Sequence, residues 1–186
     1  ARQGKGDLDG AIQDFDGAIR LQPNDVVAYH NRGIARRGKG DLDGALQDFD
    51  EAIRLEPQHV CAFCDRGSAR QAKRDFDGAL QDYTEAIRLQ PDHASAFYNR
   101  GVVRRNQGDV DGALQDYDES IRLYPGDPLT YLNRGVVRGI LGNREGALQD
   151  YDEAIRLAPD FAQAYDNRGT ERSGQGDFAG AIPDHD

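Results

Sequence analysis

Residues 26–59 read VVAYHNRGIARRGKGDLDGALQDFDEAIRLEPQH, and this stretch decides the fold because the chain repeats its pattern from end to end. Ala28, Tyr29, Gly33 and Ile34 set small and apolar side chains at helical spacing. Gly38, Lys39, Gly40 and Asp41 are turn chemistry, and Asp41 suits the N-cap of a second helix. Leu42, Ala45, Leu46, Phe49, Ala52, Ile53 and Leu55 give that helix an amphipathic face, and Pro57 ends it. One unit is therefore a helical hairpin.

Working outward, the triplet Asn31-Arg32-Gly33 returns as Asp65-Arg66-Gly67, Asn99-Arg100-Gly101, Asn133-Arg134-Gly135 and Asn167-Arg168-Gly169. The block Asp-x-x-Gly-Ala begins at Asp7, Asp41, Asp75, Asp109, Asn143 (Asn for Asp) and Asp177. Pro23, Pro57, Pro91, Pro125 and Pro159 separate successive units. A fixed 34-residue period means stacked units, each burying its apolar face on the next. The expected fold is an all-α solenoid of antiparallel helix hairpins forming one array over 1–186. Its full repeats are 26–59, 60–93, 94–127 and 128–161, with partial repeats at 1–25 and 162–186. Ala1-Arg2 corresponds to Ala35-Arg36 and Asp186 to Asp50, and no polar capping helix closes either end. The expectation is a piece of a longer array, with any signal, anchor or catalytic domain outside it.

The net charge of -10 and pI near 4.8 disfavour nucleic acid, whose affinity comes mainly from Lys and Arg on phosphate. An anionic membrane surface is disfavoured for the same reason, and no apolar run is long enough to span a bilayer.

Tyr29, Arg32, Gly33, Arg36, Ala45, Phe49 and Pro57 follow the signature W-x2-L-G-x2-Y, A-x3-F, P, so the chain resembles the tetratricopeptide repeat (TPR) family throughout. The resemblance implies a right-handed superhelix whose first helices line a concave groove that binds peptides or partner proteins. Gly33 and Ala45 match the family's small residues at the close helix crossing. In two places, Arg32 and Arg36, this chain has arginine where the family has Leu and Tyr.

Those two arginines recur in every unit as Arg66 and Arg70, Arg100 and Arg104, Arg134 and Arg138, and Arg168 and Arg172. Four residues apart, each pair shares a helix face. The second helices answer with Asp14, Asp48, Asp82, Asp116, Asp150 and Asp184. In a hairpin turning at Gly40, Arg32 lies level with Asp48 and Arg36 with Gly44. The missing side chain of Gly44 leaves room for a guanidinium, as at Gly10, Gly78, Gly112, Gly146 and Gly180. The expectation is an internal ladder of charge-assisted hydrogen bonds, which suits a chain with twenty Arg and three Lys. The alternative is that these arginines face the groove and grip acidic ligands. A third series, Arg20, Arg54, Arg88, Arg122 and Arg156, complements second-helix C-termini.

Positions that vary between units on one first-helix face are where a partner would be read. They are Val27, His30, Ile34 and Arg37; Cys61, Cys64, Ser68 and Gln71; and Ser95, Tyr98, Val102 and Arg105. The next sets are Leu129, Leu132, Val136 and Ile140, then Gln163, Asp166 and Thr170. By resemblance this face lines the groove, with the fourth set an apolar anchor site; alternatively some of these side chains pack on the neighbouring first helix. Beside them run Asn31, Asp65, Asn99, Asn133 and Asn167, whose amides can bond an extended peptide backbone, Asp65 excepted. The row resembles the asparagine ladder in the superhelix of the O-linked N-acetylglucosamine transferase. Amides that cap or bridge adjacent helices are the other reading. The family's chaperone-tail binders clamp two carboxylates with Lys, Asn and Arg. The matching places here hold His30, Cys64, Tyr98, Leu132 and Asp166, then Ile34, Ser68, Val102, Val136 and Thr170, so that ligand is not expected.

Cys61 and Cys64 form a C-x-x-C in a first helical turn, near His59 and His30, but a zinc site wants four converging ligands. His93 is expected in a solvated loop and His185 in place of a second-helix aromatic. Asp50, Glu51, Asp118, Glu119, Asp152 and Glu153 are expected on solvated outer faces. No catalytic constellation, cofactor motif or metal site is expected. The reading is a non-enzymatic scaffold for a protein or peptide partner. Alternatives are a regulatory or targeting arm of a larger enzyme, or head-to-tail association through the uncapped ends.

Overall fold

The computed structural model describes residues 7–174. Asp177, Gly180, Asp184 and His185, like the matches drawn for Ala1, Arg2 and Asp186, lie outside the described residues. Those residues hold ten helices: α1 Leu8–Leu21, α2 Val26–Lys39, α3 Leu42–Leu55, α4 Val60–Ala72, α5 Phe76–Leu89, α6 Ala94–Asn106, α7 Val110–Leu123, α8 Pro128–Ile140, α9 Arg144–Leu157 and α10 Ala162–Gly174. They fall into two compact units, Ala1–Pro91 with α1–α5 and Asp92–Asp186 with α6–α10.

Local chemistry explains each boundary. Every described second helix starts at a carboxylate or amide that accepts from the backbone N–H three residues on: Asp7 from Gly10, Asp41 from Gly44, Asp75 from Gly78, Asp109 from Gly112 and Asn143 from Gly146. First helices are capped less uniformly. Asp25 accepts from Ala28 N, Asp127 from Leu129 N and Thr130 N, and His59 makes no side-chain cap bond. His93, expected in a solvated loop, is instead the half-buried cap of α6, with Nδ1 accepting from Ala96 N at 3.1 Å. Inside each hairpin the chain reverses through a left-handed residue. At Gly40, φ is +85°, which costs glycine little; the same place in α4–α5 is Arg74 at +64°, a strained position for a side chain.

In the first unit, α2 packs on α3, α3 on α4 and α4 on α5, and the first helices α2 and α4 also touch. Ala45, Phe49 and Ala69 form a core with Leu46 beside them. In the second unit α6, α7, α8, α9 and α10 pack in succession, and α6 touches α8 as α8 touches α10. Ala113, Tyr117 and Val137 make one core there, and Leu132, Ala147, Tyr151, Ala154 and Ala164 another. The hairpin crossing is closed by a ring lying on a glycine. A Cβ at Gly33 would stand 2.6 Å from Phe49 Cε1, and one at Gly135 2.6 Å from Tyr151 Cε1.

The arginine–aspartate ladder forms inside each unit. Asp48 accepts from Arg32 Nε at 3.0 Å and Nη2 at 2.6 Å, and from Arg36 Nη1 at 2.9 Å. Arg66 and Arg70 bind Asp82 in the same way, as Arg100 and Arg104 bind Asp116 and Arg134 and Arg138 bind Asp150. Arg36 Nη1 also reaches Gly44 O at 3.3 Å. A Cβ at Gly44 would meet Asp41 Oδ2 at 2.3 Å and Arg36 Cδ at 3.0 Å. Glycine there makes room for the capping carboxylate first and for the guanidinium stem second.

The remaining Nη1 of the first arginine binds the preceding hairpin: Arg32 to Asp16, Arg66 to Asp50, Arg134 to Asp118 and Arg168 to Asp152, at 2.6–2.7 Å. Asp50, Asp118 and Asp152, expected on solvated faces, are thus exposed rungs that tie one hairpin to the next. Each first arginine also lies 5.3–5.6 Å from an aromatic centroid three residues earlier, from Tyr29 to Tyr165. Glu51, Glu85, Glu119 and Glu153 pair with Arg54, Arg88, Arg122 and Arg156 one turn on.

Electrostatics of the buried rungs pull in two directions. Burial opposes charge on Arg66 and Arg134, but their carboxylate bonds outweigh it and hold both above the ordinary guanidinium value. Burial pushes the Asp82 and Asp150 carboxyls up, and their arginines pull them back only in part. With two arginines donating to each carboxylate, the ionised pair is the state we assign. Its formation returns roughly what its desolvation costs, so breaking a rung is far more destabilising than building one is stabilising.

Candidate functional site

The face read as variable in the sequence is assembled from α2 and α4 in the first unit, and from α6, α8 and α10 in the second. Its polar residues are largely engaged with each other. His30 Nε2 lies 2.9 Å from Asp65 Oδ2, and Arg37 Nη2 3.0 Å from Asp65 Oδ1, so α2 is bolted to α4 through the one acidic rung. In the second unit Arg105 Nη1 donates to Asn133 Oδ1 at 2.6 Å, while Asn133 Nδ2 donates to Tyr98 Oη at 3.2 Å and Leu129 O at 2.9 Å. The side chains at 65 and 133 bridge neighbouring first helices. Asn167 differs. The residues placed like Tyr98 and Arg105 before it are Leu132 and Gly139, and its amide makes no hydrogen bond among the described residues.

Leu132 is a correction. Expected to line the groove in the apolar set suited to a partner's hydrophobic anchor, it is 3% exposed and packs with Ala147, Tyr151 and Ala164. Its side chain follows the helix face that turns toward α9 and α10 rather than outward. Val102 and Val136 are half-buried and lean on the adjoining cores. Ile34 and Asp166 are exposed; Asn31 and Asn99 are half-buried. The register of the fourth set also shifts: Arg37, Gln71 and Arg105 are followed 34 residues on by Gly139, not Ile140.

That glycine and two neighbours are what sequence reading missed. Val136, Gly139, Ile140, Tyr151, Asn167, Thr170 and Glu171 surround an open cavity of about 350 Å³. A break in a repeated arginine–glutamine–arginine series was the available signal. A second recess of about 280 Å³ lies among Ala94, Ser95, Tyr98, Ser120, Tyr124 and Asp127.

The second-helix tyrosines are not equivalent. Tyr83 Oη bonds Ser68 Oγ at 3.1 Å and donates to Gln71 Oε1 at 3.3 Å. At the places of Ser68 and Gln71, Tyr117 meets Val102 and Arg105, and its hydroxyl is sealed in without a partner. Tyr151 meets Val136 and Gly139; its hydroxyl likewise has no partner among the described residues, but the ring borders the cavity.

Of the two free cysteines, Cys61 is exposed and Cys64 half-buried. Burial pushes the Cys64 thiol up to about 12, leaving little thiolate at neutral pH. Among the described residues no group of three or more His, Cys, Asp or Glu side chains is placed to hold a metal. His30 and His59 stack edge to face at 4.8 Å.

Three family models, each described as Tetratricopeptide repeat, match residues 26–59, 64–128 and 129–161. The chain belongs to the tetratricopeptide repeat family. Similar solved structures include MamA (41-end) from Desulfovibrio magneticus RS-1, at TM-score 0.79 and 20% identity, covering 86% of this chain and 90% of that one. A tetratricopeptide repeat protein from Parabacteroides merdae aligns at TM-score 0.81 and 23% identity, over 97% of this chain and 72% of the other. YrrB, a TPR protein with an unusual peptide-binding site, aligns at 0.77 and 21%, over 93% and 89%. At these identities the likeness is one of fold. No curated protein sequence matches the chain.

The fold class is an all-α helical-hairpin solenoid, and the family places the chain among protein–protein interaction scaffolds. Such scaffolds are generally non-enzymatic. Among the described residues of this TPR chain no helix is long and apolar enough to cross a membrane.

Proposed function

We propose that this TPR chain holds an extended segment of a partner protein along its first-helix face, with the contacts concentrated on α8 and α10. The supporting observation is the cavity at Gly139, where Asn167 keeps its amide unspent beside Val136 and the 61%-exposed Ile140. An amide with donors and an acceptor next to an apolar recess is the equipment for holding a peptide backbone and one of its side chains. On α8 and α10 the asparagine row contributes through Asn167, because Asn133 is occupied by Arg105 and Tyr98. The likeness to YrrB, described with a peptide-binding site, agrees with this use of the fold.

The test is selection of displayed random peptides on the wild-type chain and on Ile140→Asp, whose exposed position should tolerate the change. Selected peptides should perturb backbone resonances of Val136, Ile140 and Asn167 and lose affinity for the variant. Peptides that bind both proteins equally and perturb only second-helix residues would move the site elsewhere.

A further inference from the structure

Two first helices in this protein fill the space ahead of them with their own arginine. Arg37 of α2 reaches Asp65 of α4, and Arg105 of α6 reaches Asn133 of α8. In each case a guanidinium crosses from one first helix to the acceptor oxygen on the next. At the same place α8 carries Gly139, and the acceptors facing it, on α10, are left without their arginine.

The acceptors are present. Asn167 occupies the rung position of Asp65 and Asn133, and its side-chain oxygen has no donor among the described residues. One turn on, Glu171 spends Oε1 on Arg144 Nε at 3.2 Å, whereas Oε2 lies 3.3 Å from where a Cβ of residue 139 would be. Tyr151 borders the cavity and adds a hydroxyl with no protein partner among the described residues. The walls, Val136 and Ile140, suit the aliphatic stem of a long basic side chain. The charges near the cavity are the Glu171 carboxylate and its partner Arg144, in a chain of net charge -10.

We propose that the cavity at Gly139 receives an arginine side chain from the partner segment, whose guanidinium donates to Asn167 Oδ1 and Glu171 Oε2 as Arg105 donates within the chain. This rests on the peptide-holding reading above and specifies one residue of the ligand. Arginine is preferred to an apolar side chain because the acceptors would otherwise be desolvated unpaired, and to lysine because a planar fork spans two acceptors.

The test uses short acetylated, amidated alanine peptides that differ at one central position: arginine, lysine, citrulline or norleucine. Binding is read from the Asn167 side-chain amide resonance in the whole chain. The arginine peptide should shift it saturably, with the citrulline peptide weaker by about tenfold or more. Gly139→Arg, which supplies the guanidinium in cis, should abolish that binding, whereas Gly139→Ala, which gains the same kind of helix propensity, should retain it. Equal binding by citrulline or norleucine overturns the arginine assignment and leaves the peptide-holding reading intact. Equal loss in Gly139→Ala and Gly139→Arg overturns it also. No perturbation of any first-helix resonance by any of the peptides at millimolar concentration overturns both.

Discussion

Asp116 shows what one residue carries in this array. It is 2% exposed and receives hydrogen bonds from Arg100 and Arg104 at once. Asp116→Ala strands both charges and should lower the unfolding free energy by about 3–5 kcal/mol in chemical denaturation. Asp118, two positions on, binds Arg134 from a side chain that is 51% exposed; Asp118→Ala should cost less than about 1 kcal/mol. The tyrosine series makes a second contrast. Tyr83→Phe removes bonds to Ser68 and Gln71 and should cost about 0.5–1.5 kcal/mol, whereas Tyr117→Phe removes an unsatisfied hydroxyl and should cost nothing or stabilise. Thermal melts of the two variants side by side check the sign. The register of arginine against aspartate could be counted off the sequence, since both series keep one period. The burial of Leu132 could not, because nothing in a run of Leu129, Leu132 and Val136 says which side chain the next hairpin covers.

At the scale of elements, α4 is the least well finished helix. It begins at His59, which makes no cap bond, and its hairpin turns through Arg74 in a conformation suited to glycine. Burial, with the neighbouring His30 second, holds the His59 imidazole below its ordinary value of 6.5; Glu56 and Asp65 pull weakly the other way. The unfolded chain therefore takes up this proton first. The stability contributed by neutral His59 is complete above pH 6.5 and is lost as pH falls through the depressed value. His59→Asn should supply the missing cap, gain about 1 kcal/mol at neutral pH, and make the decline of the melting temperature on acidification shallower. Melts across that range measure the slope; an unchanged slope would remove His59 from the account. Helix positions and second-helix caps were legible because Asp, Gly and Pro recur at fixed offsets. The first-helix caps were not, since Asp25, His59, His93 and Asp127 share no single chemistry.

For the whole molecule, periodicity alone specified the fold class, and departures from periodicity are what point to function. Gly139 is informative only beside Arg37, Gln71 and Arg105; alone it is one glycine among 22. The partner stayed illegible because a scaffold's ligand is written in a few side chains rather than in a motif. The ladder has one more consequence, for covalent chemistry. Its cations are all arginine, while the lysines, Lys5, Lys39 and Lys73, all precede residue 74. The described pair, Lys39 and Lys73, make exposed contacts with Asp9 and Asp43. Exhaustive acylation of amines should therefore leave the melting temperature nearly unchanged and residues 92–186 wholly unmodified. An α-dicarbonyl reagent that condenses with guanidinium should unravel the hairpins, and protection of the buried rungs from it would follow the order in which they open.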